Sequence, residues 1–170
     1  MITHNLWPTK VIIESVSIDE CLLILNSYVL DGDKDWGNVL EKRFEQVILN
    51  IANSAFGSKF EICEGWIRTI STSTHNDFDI HSDSHYGGHL VAILQVSGDE
   101  NNGGELVIYD PSWSNPQWVS DTKNSNSNSF TIPFKMGSLI IFPSNVWHKV
   151  KAYTGKNNRV TLNLILKKIA

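Results

Sequence analysis

From residue 59 to the C-terminus, apolar side chains recur at every second position in short runs separated by turn-forming clusters. A period of two puts alternate side chains on opposite faces of a pleated strand, so this stretch builds sheets and not a helical bundle. The runs are Phe60–Thr72, Asp79–Asp83, His89–Ser97, Glu105–Asp110, Phe130–Phe134, Ser138–Pro143, His148–Thr154 and Arg159–Lys167. Between them stand Tyr86-Gly87-Gly88, the Asp99–Gly104 cluster, Lys135-Met136-Gly137, Pro143-Ser144-Asn145 and the Thr154–Asn158 cluster, all rich in turn residues. Strands of this number and length predict a mainly β fold with two packed antiparallel sheets, a jelly roll or double-stranded β-helix.

The N-terminal part has a different period. Lys10–Val16 reads as a first strand, and Ser17-Ile18-Asp19-Glu20 has the form of a capping box. Behind it Cys21, Leu22, Ile24, Leu25, Tyr28 and Val29 recur at helical spacing, up to the stop at Asp31-Gly32-Asp33. A second helix is expected after Asn38, with Leu40, Phe44, Val47, Ile48, Ile51 and Ala55 on one stripe and Gly57 at its end. Each helix has a single apolar face, so both are expected to pack on one sheet. The chain then reads as a single domain over 1–170, with helical support over 17–57 and a jelly-roll core over 60–168. At 170 residues it is long enough to bury a core without disulfide or metal staples.

One connection is out of proportion. Residues 111–129 are polar and simple in composition towards their end, and connections this long in compact domains are commonly functional or disordered. Trp113 and Trp118 within it are candidates to fold over a pocket mouth and touch substrate, or to anchor the loop by burial.

Charge excludes little. The net value is −4, yet the last segment from Lys149 carries six basic residues and no acid. Those charges alternate with apolar residues, as in a strand and its flanks, which argues against a nucleic-acid arm. Cys21 and Cys63 lack metal-ligand spacing and read as buried thiols of a reducing compartment. The N-terminus lacks a basic region followed by an apolar run, and no apolar stretch reaches the ~20 residues of a membrane helix. The expectation is a cytoplasmic protein without a membrane partner. Its small size and Asn/Ser-rich loop suit a phage or another compact genome.

The chemistry centres on Asp79-Ile80-His81-Ser82-Asp83. Read as strand, it sends His81 and Asp83 from the same face, where an imidazole and a carboxylate grip a divalent ion at adjacent positions. His148, in Ser144-Asn145-Val146-Trp147-His148, is placed to be the third ligand. Two histidines and one carboxylate leave about three octahedral positions open, the facial arrangement of non-haem Fe(II) oxygenases. A lone His-x-Asp has little meaning. Its weight comes from the residues downstream of it: Gly103-Gly104-Glu105-Leu106, the run from Gly137 to Pro143, His148, then Arg159-Val160-Thr161.

In that order these residues resemble the 2-oxoglutarate- and Fe(II)-dependent oxygenase family, especially its prolyl-hydroxylase-like branch, over residues 79–166. The resemblance implies Fe(II) on His81, Asp83 and His148, with 2-oxoglutarate chelating the ion and dioxygen taking the remaining position. It implies Arg159 and Thr161 as partners of the buried far carboxylate of 2-oxoglutarate, since both side chains leave one face of a strand. Gln95 stands where the family often has a tyrosine bonding that carboxylate. His89 stands where prolyl hydroxylases often have a basic residue near substrate, and Arg68 and Trp66, on the strand before the metal pair, are candidate pocket-lining residues, Arg68 a candidate substrate contact. Ascorbate is an expected reductant. The function implied is hydroxylation of a C–H bond in a protein or peptide side chain, proline first. The alternatives are a free amino acid or small metabolite as substrate, or a cupin-like module that binds metal without oxidation. Ile165 and Leu166 stand where the branch often carries a tryptophan.

Overall fold

The computed structural model describes residues 2–6, 9–17, 19, 42–70, 79–110 and 129–170. Their elements are β1 (Ile2–Leu6), β2 (Thr9–Ser15), α1 (Lys42–Phe56), β3 (Phe60–Ile70), β4 (Leu90–Ser97), β5 (Leu106–Tyr109), β6 (Ser129–Ile132), β7 (Ser138–Pro143), β8 (His148–Val150) and β9 (Arg159–Lys168). They form two antiparallel sheets, a larger one ordered β1-β2-β7-β4-β9-β3 and a smaller one ordered β6-β5-β8. This is the expected jelly-roll arrangement. Among the described residues there is one α-helix, not two; residues 21–29 of the helix expected after Ser17, with Ile18 and Glu20 of its capping box, lie outside the described residues. Trp113 and Trp118 also lie outside them.

The larger sheet is covered on both faces. Ile12, Leu90, Ala92, Leu94, Leu139, Ile141, Leu162 and Leu164 pack outward against Phe44, Ile48 and Ala52 of α1. Val91, Ile93, Ile140, Phe142 and Ile165 point inward against Leu106, Ile108, Ile132 and Val150 of the smaller sheet. Central strands buried on two faces lose the polar half of the alternation, which is why β4 is buried from Leu90 to Val96. Truncating Ile48, which has no exposed surface, to alanine would cost about 2–5 kcal/mol.

Local contacts fix α1 on the sheet. Gly57, at φ 64, takes the left-handed conformation that ends the helix, and its N–H donates to the Asn53 carbonyl. Asn53 Oδ1 accepts the N–H of Phe60, so the helix leads directly into β3. Lys10 Nζ donates to the Ala55 carbonyl at 2.7 Å, placing a cation at the negative end of the helix dipole.

Three expectations are corrected. The hairpin strand β1 was not legible, because its middle residues are polar and its structure comes from pairing with β2. Asp79–Asp83 is not a strand; among these residues only His81 makes a bridge, to His148. Cys63 is exposed and not buried, since it sits at a register shift of β3, the outermost strand of its sheet, with its thiol 3.5 Å from the Ile165 carbonyl. Cys21 lies outside the described residues.

Candidate metal centre and cosubstrate pocket

The isolated bridge does the work expected of a strand. His81 N–H donates to the His148 carbonyl and His148 N–H donates back to the His81 carbonyl, at 3.0 and 2.8 Å. This reciprocal pair sets the two imidazoles side by side, ring centres 4.4 Å apart. Asp83 N–H donates to the Ser144 carbonyl, which pins the carboxylate over the turn that leads into β8. One ligand atom each from His81, Asp83 and His148 lies within 4.8 Å of the others.

The hydrogen bonds also settle the tautomers. His81 Nδ1 faces the Asp79 carbonyl at 2.8 Å and His148 Nδ1 faces the Val146 carbonyl at 3.1 Å. A carbonyl only accepts, so each Nδ1 carries the proton and each Nε2 keeps its lone pair. Those Nε2 atoms lie 3.9 and 3.5 Å from the Asp83 carboxylate oxygens, too far for good hydrogen bonds and well suited to ligands converging on one ion. Burial, and then the neighbouring His81, press the His148 pKa down to about 4, against the opposing pull of the Val146 carbonyl and Asp83. The imidazole is therefore neutral at physiological pH, as a metal ligand must be.

The same cavity runs inward to Arg159, the first residue of β9. Arg159 is 1% exposed and is the largest fully buried side chain among the described residues. Its guanidinium lies over the Phe134 ring at 5.1 Å, and its Nε has no hydrogen-bond partner. Gly104 makes room for it: at φ 75, a β-carbon there would sit 2.8 Å from Cδ and Nε of Arg159. Burial, then the positive charge of Arg68, lower the Arg159 pKa to about 10, so the group stays charged at neutral pH. A buried cation with an unpartnered N–H fits an incoming carboxylate.

A family model of 2OG-Fe(II) oxygenases matches residues 64–164, a span holding all three candidate ligands and Arg159. The chain belongs to this 2OG-Fe(II) oxygenase family. Its cofactors are therefore those expected from the sequence: Fe(II), 2-oxoglutarate and dioxygen. No curated protein matches the chain in sequence. Solved structures share the fold at low identity. The α-ketoglutarate-dependent epimerase SnoN from nogalamycin biosynthesis aligns with a TM-score of 0.69 at 11% identity, over 92% of this chain and 76% of that one. AviO1 from Streptomyces viridochromogenes Tue57 aligns with a TM-score of 0.69 at 10% identity, over 94% and 90%. EctD from S. alaskensis, in its apo form, aligns with a TM-score of 0.67 at 13% identity, over 92% and 72%.

In this oxygenase one cavity wall brings together His81, Asp83, His148, Arg159, Thr161 and Arg68. Register explains the grouping: β3, β9 and β4 set Arg68, Thr161 and Gln95 on one rung, and Trp66, Asn163 and Ile93 on the next. Gln95 is fully buried but is not part of the cavity wall; its Oε1 accepts from Lys135 N–H at 2.7 Å, and its Nε2 has no partner. His89 is exposed and its Nδ1 accepts from Lys168 N–H, away from the wall. His85 is likewise exposed and outside the metal-ligand group.

One polar wall residue, Asn163, was not expected from the sequence. Asn163 donates through Nδ2 to Thr161 Oγ1 at 3.3 Å, which leaves the threonine proton for the cavity. Trp66 lines the wall as expected. The usable signal for Asn163 was parity, since it lies two and four positions beyond Thr161 and Arg159 on one strand face.

Proposed function

We propose that the protein is a dioxygenase that hydroxylates a substrate C–H bond, with His81, Asp83 and His148 holding Fe(II) and with Arg159 and Thr161 receiving the far carboxylate of 2-oxoglutarate. The observation that carries this reading is one cavity with three convergent ligand atoms and a buried, unpartnered arginine Nε. When bound, iron, 2-oxoglutarate and dioxygen supply the oxidation: the keto acid becomes succinate and CO2, and the second oxygen atom becomes the substrate hydroxyl. The side chains supply no acid or base. His81 and His148 present fixed lone pairs because backbone carbonyls hold their Nδ1 protons. Arg159 offers a charged fork and Thr161 a hydroxyl donor, while Gln95, on the Thr161 rung but outside the cavity wall, takes no part. Leu106, Ile93 and Val150 line the cavity with apolar surface that excludes water.

A small molecule is the favoured substrate. Support comes from the fold's relatives, among them SnoN in complex with Fe3+, alpha ketoglutarate and nogalamycin RO. The order of motifs supports a second reading, a protein or peptide side chain with proline first, but Ile165 and Leu166 replace the tryptophan that branch often has. The test is succinate release from Fe(II), 2-oxoglutarate and dioxygen, screened over small acids, amino acids and peptides, with mass spectrometry for a gain of one oxygen. Turnover stimulated by peptides alone would reverse the choice of substrate. No succinate under any condition would leave the metal-binding module as the correct reading.

A further inference from the structure

Beside the cavity stands an aromatic pair with no role in holding metal or keto acid. Trp66 lines the cavity and is half-buried, and its ring centre lies 5.1 Å from that of Tyr86, inclined at 33°. Tyr86 is 42% exposed, although a large ring left in water forgoes the free energy of burial. Among the described residues the other exposed large apolar side chains, Ile2 and Ile169, lie near the chain ends. The position of Tyr86 is fixed, not incidental. Ser84–Tyr86 form a 3-10 turn directly after Asp83, and Tyr86 N–H donates to the Asp83 carbonyl at 3.1 Å. His85 lies against the same ring, centres 4.0 Å apart. Tyr86 is outside the cavity wall but lies against Trp66 within it, and this partly exposed aromatic pair beside a candidate metal ligand is a surface on which a planar group stacks.

We propose that Trp66 and Tyr86 are the substrate platform of this site, and that the molecule oxidised carries a flat ring lying on that pair. A substituent carbon of that ring then points into the cavity. Arg68, two residues from Trp66 on the same strand face and in the same wall, adds positive charge beside the platform, so acidic ring compounds are the first probes. This inference rests on the cavity being the oxidising site, and the experiment separates the two.

The full chain is loaded anaerobically with Fe(II) and 2-oxoglutarate, whose charge-transfer absorption reports cofactor binding alone. Indole-3-acetate and phenylacetate are then compared with acyclic hexanoate by calorimetry, in wild type, Tyr86→Ala and Trp66→Phe. Stacking of one ring predicts binding about tenfold tighter for at least one ring acid than for hexanoate. Tyr86→Ala should lose about that factor while Trp66→Phe keeps most of it, with the absorption unchanged in both. Hexanoate binding as tightly as both ring acids, or Tyr86→Ala binding the rings like wild type, overturns the platform even where the absorption forms. Ring binding that depends on Tyr86 without any absorption leaves the platform standing and removes the cofactor reading. Tyr86 is exposed, so its variant folds even where changes at Trp66 disturb the sheet.

Discussion

The two ends of the cavity are built in opposite ways. At the outer end, His81 and Asp83 come from an irregular segment, and their aim is set by backbone hydrogen bonds to the turn and strand around His148. At the inner end, Arg159 opens a long strand, pairs with Ile70 of β3 and is held by packing on Phe134 and over Gly104, with its Nε left without a partner. One end has its polar needs met apart from the open faces of three ligand atoms. The other carries a buried charge that the protein alone does not satisfy. A metal centre needs fixed lone pairs before the ion arrives, whereas a carboxylate site keeps its strongest donors in reserve.

The largest effect tests the outer end. Asp83→Ala or His148→Ala should lower iron-dependent 2-oxoglutarate turnover by about a hundredfold or more, with the circular dichroism of the β fold retained. Wild-type succinate release in either variant would mean that the ligands lie elsewhere. Next comes the inner end, where Arg159→Met should raise the 2-oxoglutarate requirement about a hundredfold. Because its Nε is unpartnered, the same change should leave thermal stability level or improve it. A large loss of melting temperature would show that the guanidinium serves the fold more than the ligand.

Proton uptake sharpens the contrast. His148 titrates near 4 in the folded protein and near 6.5 in an unfolded chain. The unfolded chain then binds the proton more tightly, so stability is complete above about pH 6.5 and is lost as pH falls from there towards 4. The metal-free protein should lose about 5 °C or more of melting temperature by pH 4.5, and His148→Gln should flatten that dependence. An identical slope in the variant would assign the proton to another group. The smallest effect belongs to the cradle: Gly104→Ala should cost about 1–3 kcal/mol of stability, because φ is 75 and the new carbon meets Arg159. A rise in the 2-oxoglutarate requirement should accompany it, and an unaltered requirement would separate the glycine from the arginine's role.

Much of this was readable along the chain. Alternation from residue 59 gave most of the strands, since burying one or both faces of a strand leaves a mark on composition. The candidate ligands were readable because metal-binding chemistry is restricted to few residue types at telling separations. Yet the reason offered for His81 and Asp83, side chains leaving one face of a strand, was wrong in detail, because a single bridge to His148 replaces that strand. Asn163 and Tyr86 went unassigned because an asparagine in a strand and a tyrosine in a turn are ordinary until their neighbours are known.

Local order thus determined the sheets, the inward parity of Arg159 and Thr161, and the three candidate ligands, whose side chains the fold brings together. The tertiary structure decided which nitrogen of each histidine is free, how deeply Arg159 is buried, and that Tyr86 lies against Trp66 of the cavity wall. Those depend on partners distant in sequence, as His81 and His148 are to each other, and on carbonyls that any sequence supplies. Only the fold brings one particular carbonyl, ring or glycine against one particular side chain.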